Sequence, residues 1–263
     1  MPSTLGLGIT MTWFSILVLL PLAAVLISAG GGGWSQFWDA VTSPQTAAAL
    51  RLTVGEAVIV TLINVVMGTA LAWVLVRDRF FGKRVLDVVI DVPFALPTVV
   101  AGLVLLSLYG PKSPIGIDVA NTRTAVFLAI AFVTLPFVVR TTQPVLEALE
   151  HDVEEAAASL GASRLTTFRR VILPSLVPAI TAGAALSFAR AISEYGSLVL
   201  LSGNLPNKTE VASVRVLSYL EVGDQSSAAS IAAILLVVAL VVIVALDVLQ
   251  RRVAGISGVR RGA

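Results

Sequence analysis

The chain has 263 residues, of which 57% are hydrophobic and only 13% are charged, with a formal net charge of +2. A soluble domain carries about 25% charged residues, so this composition excludes a soluble protein with an ordinary water-facing surface. The mean hydropathy of +0.93 agrees with that exclusion. The sequence contains no cysteine, which excludes a disulfide framework and a thiolate metal site.

Six apolar segments predict an all-α integral membrane protein, because lipid offers the backbone amides no partner outside a helix. Each segment is close to the ~20 residues that cross ~30 Å of hydrocarbon. No lysine or arginine precedes the first segment and further apolar segments follow it, so we interpret it as a retained helix, not a secretory signal. The predicted spans are residues 12–28, 54–76, 85–107, 124–142, 176–201 and 228–249.

Basic residues in the loops predict the orientation of these spans, because cytoplasmic loops carry an excess of lysine and arginine. The loops on one side contain Arg77, Arg79, Lys83, Arg84, Arg140, Arg164, Arg169, Arg170, Arg251, Arg252, Arg260 and Arg261. The loops on the other side contain only Arg51, Lys112, Arg123, Lys208 and Arg215. We therefore predict that the first side is cytoplasmic and holds both termini.

Prolines interrupt two of the predicted spans. Pro93 and Pro97 lie one turn apart in the third span, and Pro136 lies in the fourth. Each removes an intrahelical hydrogen bond, which membrane helices tolerate where neighbouring helices or a water-filled cavity satisfy the freed carbonyl groups. Either these prolines are simple packing kinks, or they mark helices that line a pathway and must flex.

A charged island lies between two apolar segments, at roughly residues 140–174. Pro144 suits the first turn of a helix, and the acidic residues that follow are favoured by the helix macrodipole. Apolar residues recur at three- and four-residue steps, which predicts one apolar stripe along this helix. The acidic residues are Glu147, Glu150, Asp152, Glu154 and Glu155, and the stripe is Leu146, Leu149, Val153, Ala157 and Leu160.

Gly161 stands where a residue in left-handed conformation would end that helix. Ser163 is placed to cap a second, shorter helix, which Pro174 closes before the fifth span. The sequence thus predicts two helices joined by a glycine elbow in a cytoplasmic loop at residues 143–174. Such a unit either rests on lipid headgroups or docks to another protein. The acidic first helix favours docking, because headgroup-binding helices are rich in basic and bulky apolar residues.

The same loop resembles a known signature. The spacing of Glu155-Ala156-Ala157, Gly161 and Leu173-Pro174 is similar to the cytoplasmic coupling loop of ABC importer permeases, with Val171 where isoleucine is usual. In that family the loop fits a groove on a separate ATP-hydrolysing subunit. The resemblance implies the same coupling role for these six residues, in a type I ABC importer permease architecture with six transmembrane helices.

Two further stretches resemble the sulfate/thiosulfate permeases of this superfamily, whose nearest relatives are molybdate permeases. They are VPFALPTVVAGLVLLSLYGPKSPIG at Val92–Gly116 and ARAISEYGSLVLLSGNLPNKTE at Ala189–Glu210, where Ser193 replaces a usual glycine. The resemblance extends from about residue 51 to residue 250. It implies import of sulfate, with thiosulfate as a second substrate, across the bacterial cytoplasmic membrane. A molybdate or tungstate importer permease is the alternative.

The resemblance also implies partners. Two ATP-binding cassette subunits would bind ATP and Mg²⁺, and an extracytoplasmic sulfate-binding protein would deliver the anion. A second permease subunit, expected to be a related chain and not an identical one, would complete the pathway. This chain would itself carry no cofactor, no metal and no catalytic residue, in keeping with the absence of a G-x-x-x-x-G-K-[ST] phosphate-binding segment. No nucleic-acid partner is expected.

Two ionisable residues lie within the fifth predicted span. Arg190 and Glu194 are four residues apart and hence on one helix face, and such groups at membrane depth usually face a bundle interior or a cavity. They either form an internal ion pair that stabilises packing or contribute to transport. In the second case Arg190, or the hydroxyl groups of Ser187, Ser193 and Thr98, would lower the barrier for a divalent oxyanion.

The remaining polar motifs predict no further site. Arg51 and Glu56 lie near the outer end of the second span and are interpreted as interface residues. His151 is the only histidine and has no cysteine near it, so a metal site is not expected. The G-x-S-G form of membrane serine proteases occurs at Gly255–Gly258, but in the tail and not in a span, which disfavours an intramembrane enzyme. A channel would leave the charged island unexplained.

Overall fold

The computed structural model describes residues 4–149 and 151–259, and every regular element in these two ranges is a helix. The prediction of an all-α protein is confirmed. The long helices are α1 (Gly6–Gly30), α3 (Pro44–Arg77), α6 (Arg123–Ala148), α8 (Arg164–Ile192) and α11 (Gln225–Val259). The shorter ones are α2 (Gly33–Thr42), α4 (Lys83–Ala95), α5 (Thr98–Tyr109), α7 (His151–Ser159), α9 (Gly196–Leu201) and α10 (Ala212–Glu221).

Five helices in the described ranges are long and apolar enough to cross a membrane, and the bent pair α4–α5 could form a sixth span. The two helices of this pair meet at an angle of 119°. The third span predicted at residues 85–107, with its two prolines, is therefore two helices that meet at a sharp bend and not one helix. Leu96 has extended backbone, with ψ 135°, because the ring of Pro97 disfavours helical backbone at the residue before it. Pro93, by contrast, lies inside α4.

Helices α3, α6 and α8 pack against one another and form the centre of the bundle. Ile130 and Phe188 are each 1% exposed there. Within this core the side-chain amide of Asn64 donates hydrogen bonds to Thr134 Oγ1 at 2.8 Å and to Ser187 Oγ at 3.3 Å. Helices in lipid gain nothing from the hydrophobic effect when they associate, so close packing and such interhelical hydrogen bonds hold them together.

Two glycines let these three helices approach closely. Gly68 of α3 and Gly183 of α8 both face Val138 of α6. A Cβ atom on Gly68 would lie 2.8 Å from the Val138 Cβ, and one on Gly183 would lie 2.9 Å from the Val138 Cα. Small residues at such crossings are typical of membrane helix packing.

Helix α8 passes through Pro174 without a break. A π-helical turn at Phe168–Ile172 comes directly before Leu173, whose N–H bonds to the Phe168 carbonyl five residues back. Proline lacks an N–H and clashes with the preceding turn, and the wider turn accommodates it. The prediction of a separate second helix closed by Pro174 is therefore wrong. The predicted fifth span, residues 176–201, also ends early, because α8 stops at Ile192.

Helix α6 continues through Pro144 to Ala148, and helical backbone ends at Leu149, where ψ is 107°. The predicted helix start at Pro144 is thus wrong, and so is the single apolar stripe. Leu146 is fully buried in α6, whereas Leu160 is 89% exposed. The apolar residues keep their three- and four-residue spacing across the break between α6 and α7. The spacing therefore could not reveal that break.

The end of the bundle opposite this break is held by polar contacts from α3 and α11. The backbone N–H of Ala212, at the start of α10, donates to Thr53 Oγ1 of α3 at 2.8 Å. Gln45 donates to Glu210 Oε2 at 2.7 Å. Asp224 caps α11, where hydrogen bonds from the hydroxyl and backbone N–H of Ser227 lower the pKa of its carboxyl below the ordinary 3.8. Helix α1 packs against α11 at the edge of the bundle.

Candidate coupling site and membrane polar groups

Helix α7 ends in the glycine elbow that the sequence predicts. Gly161 has φ +81°, which confirms the predicted left-handed conformation. The N–H of Ala162 bonds to the Ala157 carbonyl at 3.0 Å, and the N–H of Gly161 bonds to the Ala158 carbonyl at 2.9 Å. This pair of hydrogen bonds is the Schellman motif, which satisfies carbonyl groups at a helix end.

Ser163 caps the next helix, as predicted. Its hydroxyl accepts a hydrogen bond from the backbone N–H of Thr166 at 3.3 Å. The capped helix is α8, however, so the coupling loop joins directly onto a membrane-crossing helix. Leu173 and Pro174 consequently lie inside α8, just after its π-helical turn.

The described outer surface of α7 carries the charged Glu155 among small residues. Glu155, Ala156 and Ser159 are exposed, and Leu160 projects at 89% exposure. We call these four residues the docking tip. Ala157 is half-buried. A bulky apolar side chain that projects beside small residues is suited to a complementary groove on another protein.

Arg77, the last residue of α3, holds α7 in place. Its Nη2 lies 2.7 Å from Glu154 Oε1 and also donates to the Leu149 carbonyl at 3.1 Å. The side chains of Arg77 and Glu154 are 8% and 25% exposed. A cavity of about 560 Å³ lies beside this ion pair, lined in part by Trp73 and Phe168. The sequence did not reveal this contact, because residues 77 and 154 are far apart in the chain.

Arg140 holds α4 against α6. Its guanidinium forms a two-pronged contact with Asp91, with both distances 2.7 Å, and donates to Asp87 Oδ1 at 2.7 Å. It also donates to Gln143 Oε1 at 2.6 Å. The spacing of Asp87 and Asp91, four residues apart at a predicted span, was a usable signal, because such carboxylates need a cationic partner.

Arg190 and Glu194 form the ion pair that their spacing suggests. The Arg190 Nη2 lies 2.6 Å from Glu194 Oε2, and the side chains are 27% and 0% exposed. The other carboxylate oxygen accepts hydrogen bonds from the backbone N–H of Ser197 at 2.8 Å and from its hydroxyl at 2.7 Å. The Ser213 hydroxyl donates to the Glu194 backbone carbonyl at 2.6 Å. Glu194 therefore joins α8, α9 and α10.

Three other predicted pathway residues differ in their surroundings. Ser193 is exposed and donates to the Arg190 carbonyl at 3.1 Å. Thr98, the first residue of α5, is half-buried and packs so closely on Gly196 that any Cβ there would collide with it. These two residues thus lie near the ion pair. Ser187 is fully buried in the core, bonded to Asn64.

The remaining sequence candidates are placed as follows. Arg51 and Glu56 line a cavity of about 370 Å³ together with Arg123. His151 and residues 255–258 are not among the residues whose side chains the structure describes. Among the described residues, no group of three or more His, Cys, Asp or Glu residues could hold a metal ion.

A family model described as "binding-protein-dependent transport system inner membrane component" matches residues 64–255. The chain belongs to this family. It is thus a membrane component of binding-protein-dependent transport, which confirms its resemblance to the ABC importer permeases. A family member from Salmonella typhimurium, sulfate transport system permease protein CysT, is 43% identical, over 95% of this chain and 92% of its own. The protein of that name from Synechocystis sp. is 45% identical, over 92% and 87%.

Chains of solved ABC transporters share the fold of this chain. A chain of the bacterial alginate ABC transporter in complex with alginate pentasaccharide-bound periplasmic protein aligns with a TM-score of 0.76 and 20% identity. The alignment covers 94% of this chain and 93% of that one. A chain of the inward-facing MetNI methionine ABC transporter aligns with a TM-score of 0.61, over 78% and 94%. The predicted type I importer fold is confirmed.

Proposed function

We propose that this chain is the membrane-spanning permease subunit of an ATP-driven importer. The importer carries sulfate, and thiosulfate as a second substrate, into a bacterial cell across the cytoplasmic membrane. The observation that carries the proposal is the 43% identity to a sulfate permease, because it extends over 95% of this chain and 92% of the relative. A similarity confined to the coupling loop would support only membership of the ABC importer permeases, and not sulfate as the substrate.

In this proposal the docking tip fits a groove on a separate ATPase subunit. Glu155, Ala156 and Ala157 of α7 belong to this coupling segment, and Gly161 forms the elbow at its end. Leu173 and Pro174 would transmit motion because they lie within α8, the helix that follows the loop. ATP and Mg²⁺ would be held by that partner. ATP binding that favours one arrangement of the ATPases shifts the permease between outward-open and inward-open states. No residue of this chain then needs to be catalytic.

Further partners complete the proposed importer. A second permease subunit, related to this chain but distinct from it, would form the other wall of the pathway. An extracytoplasmic sulfate-binding protein would deliver the anion. The family description supports that partner in kind, since it names binding-protein-dependent transport.

For the pathway itself we propose that Arg190, Ser193 and Thr98 contact the anion during transport. Arg190 is paired with Glu194, and its side chain is still 27% exposed. Glu194 would act by orienting that guanidinium, since its own side chain is fully buried. Ser187 contributes to core packing in this proposal, because its hydroxyl is occupied by Asn64.

The proposal is tested by uptake of labelled sulfate into cells that express this chain with its partner subunits, with thiosulfate and molybdate as competitors. We expect ATP-dependent sulfate uptake that thiosulfate reduces strongly and molybdate only weakly. Molybdate uptake that excess sulfate does not reduce would instead identify a molybdate importer and overturn the sulfate assignment.

A further inference from the structure

Arg77 and Glu154 make a contact that is partly shielded from solvent. The ion pair is 2.7 Å long, and the side chains of Arg77 and Glu154 are 8% and 25% exposed. Fully exposed ion pairs contribute little, whereas breaking a pair becomes more costly as its groups are buried. Arg77 also donates to the carbonyl of Leu149, where α6 ends before α7. One side chain of α3 therefore contacts both α7 and the end of α6, which precedes α7 in the chain.

The helix that carries Arg77 reaches the opposite end of the bundle. α3 has 34 residues and no proline after Pro44, so it forms a rod of about 50 Å. Asn64 ties its middle to α6 and α8. Near its other end, Thr53 accepts from the first N–H of α10. Gln45 contacts Glu210, just before that helix.

We propose that Arg77 and Glu154 form a clasp through which α7 moves α3 directly, and that α3 conveys this motion to α10 at the opposite end of the molecule. The backbone of α7 leads only to α6 and α8, so α3 would otherwise follow through side-to-side packing. With the clasp closed, α7 and α3 move as one unit. Arg77 and Glu154 are thus positioning residues. The inference rests on the proposed docking of α7 to an ATPase.

Movement as one unit is tested by the distance between two spin labels, one on α3 and one on α7. The sequence has no cysteine, so Met67→Cys on α3 and Ala158→Cys on α7 create two attachment sites, both exposed and neither part of the docking tip. In the assembled transporter we expect the same distance with and without ATP. In the Arg77→Gln background we expect the distance to change when ATP binds. A nucleotide-dependent distance in the parent protein, or no difference between the two backgrounds, overturns the proposal.

Arg79→Gln is the matched control, because Arg79 lies two residues from Arg77 and is exposed. We expect this variant to give the parent distance in both nucleotide states. A nucleotide-dependent change in it equal to that of Arg77→Gln would mean that general loss of charge, and not the clasp, is responsible.

Coupling is tested separately in proteoliposomes, as ATP hydrolysed per sulfate transported. We expect Arg77→Gln and Glu154→Gln each to raise this ratio about fivefold or more, the lower end of ordinary coupling energies. Arg77→Lys, which keeps a cation that can donate to Glu154 and to the Leu149 carbonyl, should retain most of the coupling. Normal ratios in both single variants, or a loss of coupling in Arg77→Lys equal to that in Arg77→Gln, contradict the clasp. Failure of the parent chain to retain the ATPase would count against the proposed function itself.

Discussion

Gly161 sits in left-handed backbone with open space around it, since no atom lies within 4 Å of a Cβ built there. Substitution by valine therefore acts through the backbone and not through a clash. Left-handed backbone costs an ordinary residue about 1–2 kcal/mol, and a β-branched one resists it more. We expect Gly161→Val to insert into the membrane normally but to misplace the docking tip and weaken ATPase binding. Co-purification of the ATPase with the permease measures this.

Gly161→Asn provides the control for this prediction. Asparagine tolerates left-handed backbone and occurs at helix ends in place of glycine. We expect this variant to retain the ATPase nearly as well as the parent. Retention by the valine variant at the parent level would show that the elbow does not position the docking tip.

Arg190 can be tested by a substitution that preserves packing. Arg190→Ala alone leaves the buried Glu194 carboxylate without its cation, at a cost of about 3–5 kcal/mol. The double variant Arg190→Gln with Glu194→Gln removes both charges and keeps a side chain that can accept from Ser197. If the guanidinium meets the anion, the double variant should assemble and yet transport sulfate at least about tenfold more slowly, which corresponds to a barrier increase of about 1.4 kcal/mol. Unchanged uptake by the double variant would leave only a packing role.

The residues that local rules describe were predictable from the sequence. Gly161 and Ser163 were assigned correctly because helix ends depend on a few neighbouring positions. Arg77 and Arg140 were not paired with their carboxylates, because those partners lie 77 and 49 residues away in sequence and are brought close only by helix packing.

At the scale of helices, α4 depends on α6 for its position. Arg140 donates several hydrogen bonds to Asp87 and Asp91, whose side chains are 44% and 50% exposed. Solvent screening reduces each bond below the value of about 1.5–3 kcal/mol for a shielded bond to a charged group, but the bonds act together on one guanidinium. We expect Arg140→Gln to lower the thermal unfolding temperature of the detergent-solubilised protein by several degrees. A fluorescence-detected unfolding curve measures this.

The comparison variant is Arg251→Gln, because Arg251 also pairs with an aspartate, Asp247, at 2.8 Å. The side chains of that pair are 79% and 49% exposed, and exposed pairs four residues apart on a helix contribute only about 0.3–0.5 kcal/mol. We expect almost no change in the unfolding temperature. Equal losses in the two variants would mean that Arg140 does not clamp α4.

Hydropathy predicted the helical class and where apolar helices lie, since each predicted span overlaps a helix or the bent pair. It did not predict how helices end or bend. The third predicted span is broken at Leu96 and Pro97. Helix α8, by contrast, is continuous through Pro174, because a π-helical turn accommodates that proline. The difference arises from the backbone around each proline, which residue spacing does not encode.

At the scale of the whole molecule, the distribution of basic residues makes a prediction about orientation. Ser159 on the docking tip and Lys112 in the loop after α5 are both exposed. We predict that Ser159→Cys reacts with a membrane-impermeant thiol reagent only in inverted vesicles, and Lys112→Cys only from the outside of intact spheroplasts. The parent chain provides an unreactive background, because it contains no cysteine. Labelling with the sides reversed would refute the predicted topology.

The contacts around Asn64, with the close approach of Gly68 and Gly183 to Val138, have a consequence for how such a molecule can change shape. An amide shared by three helices fixes their axial register, since sliding any one of them would strand a donor in a medium without water. We therefore expect α3 to tilt about this central contact without sliding along α6 and α8. The pivot of that tilt should lie near Asn64, at the middle of α3.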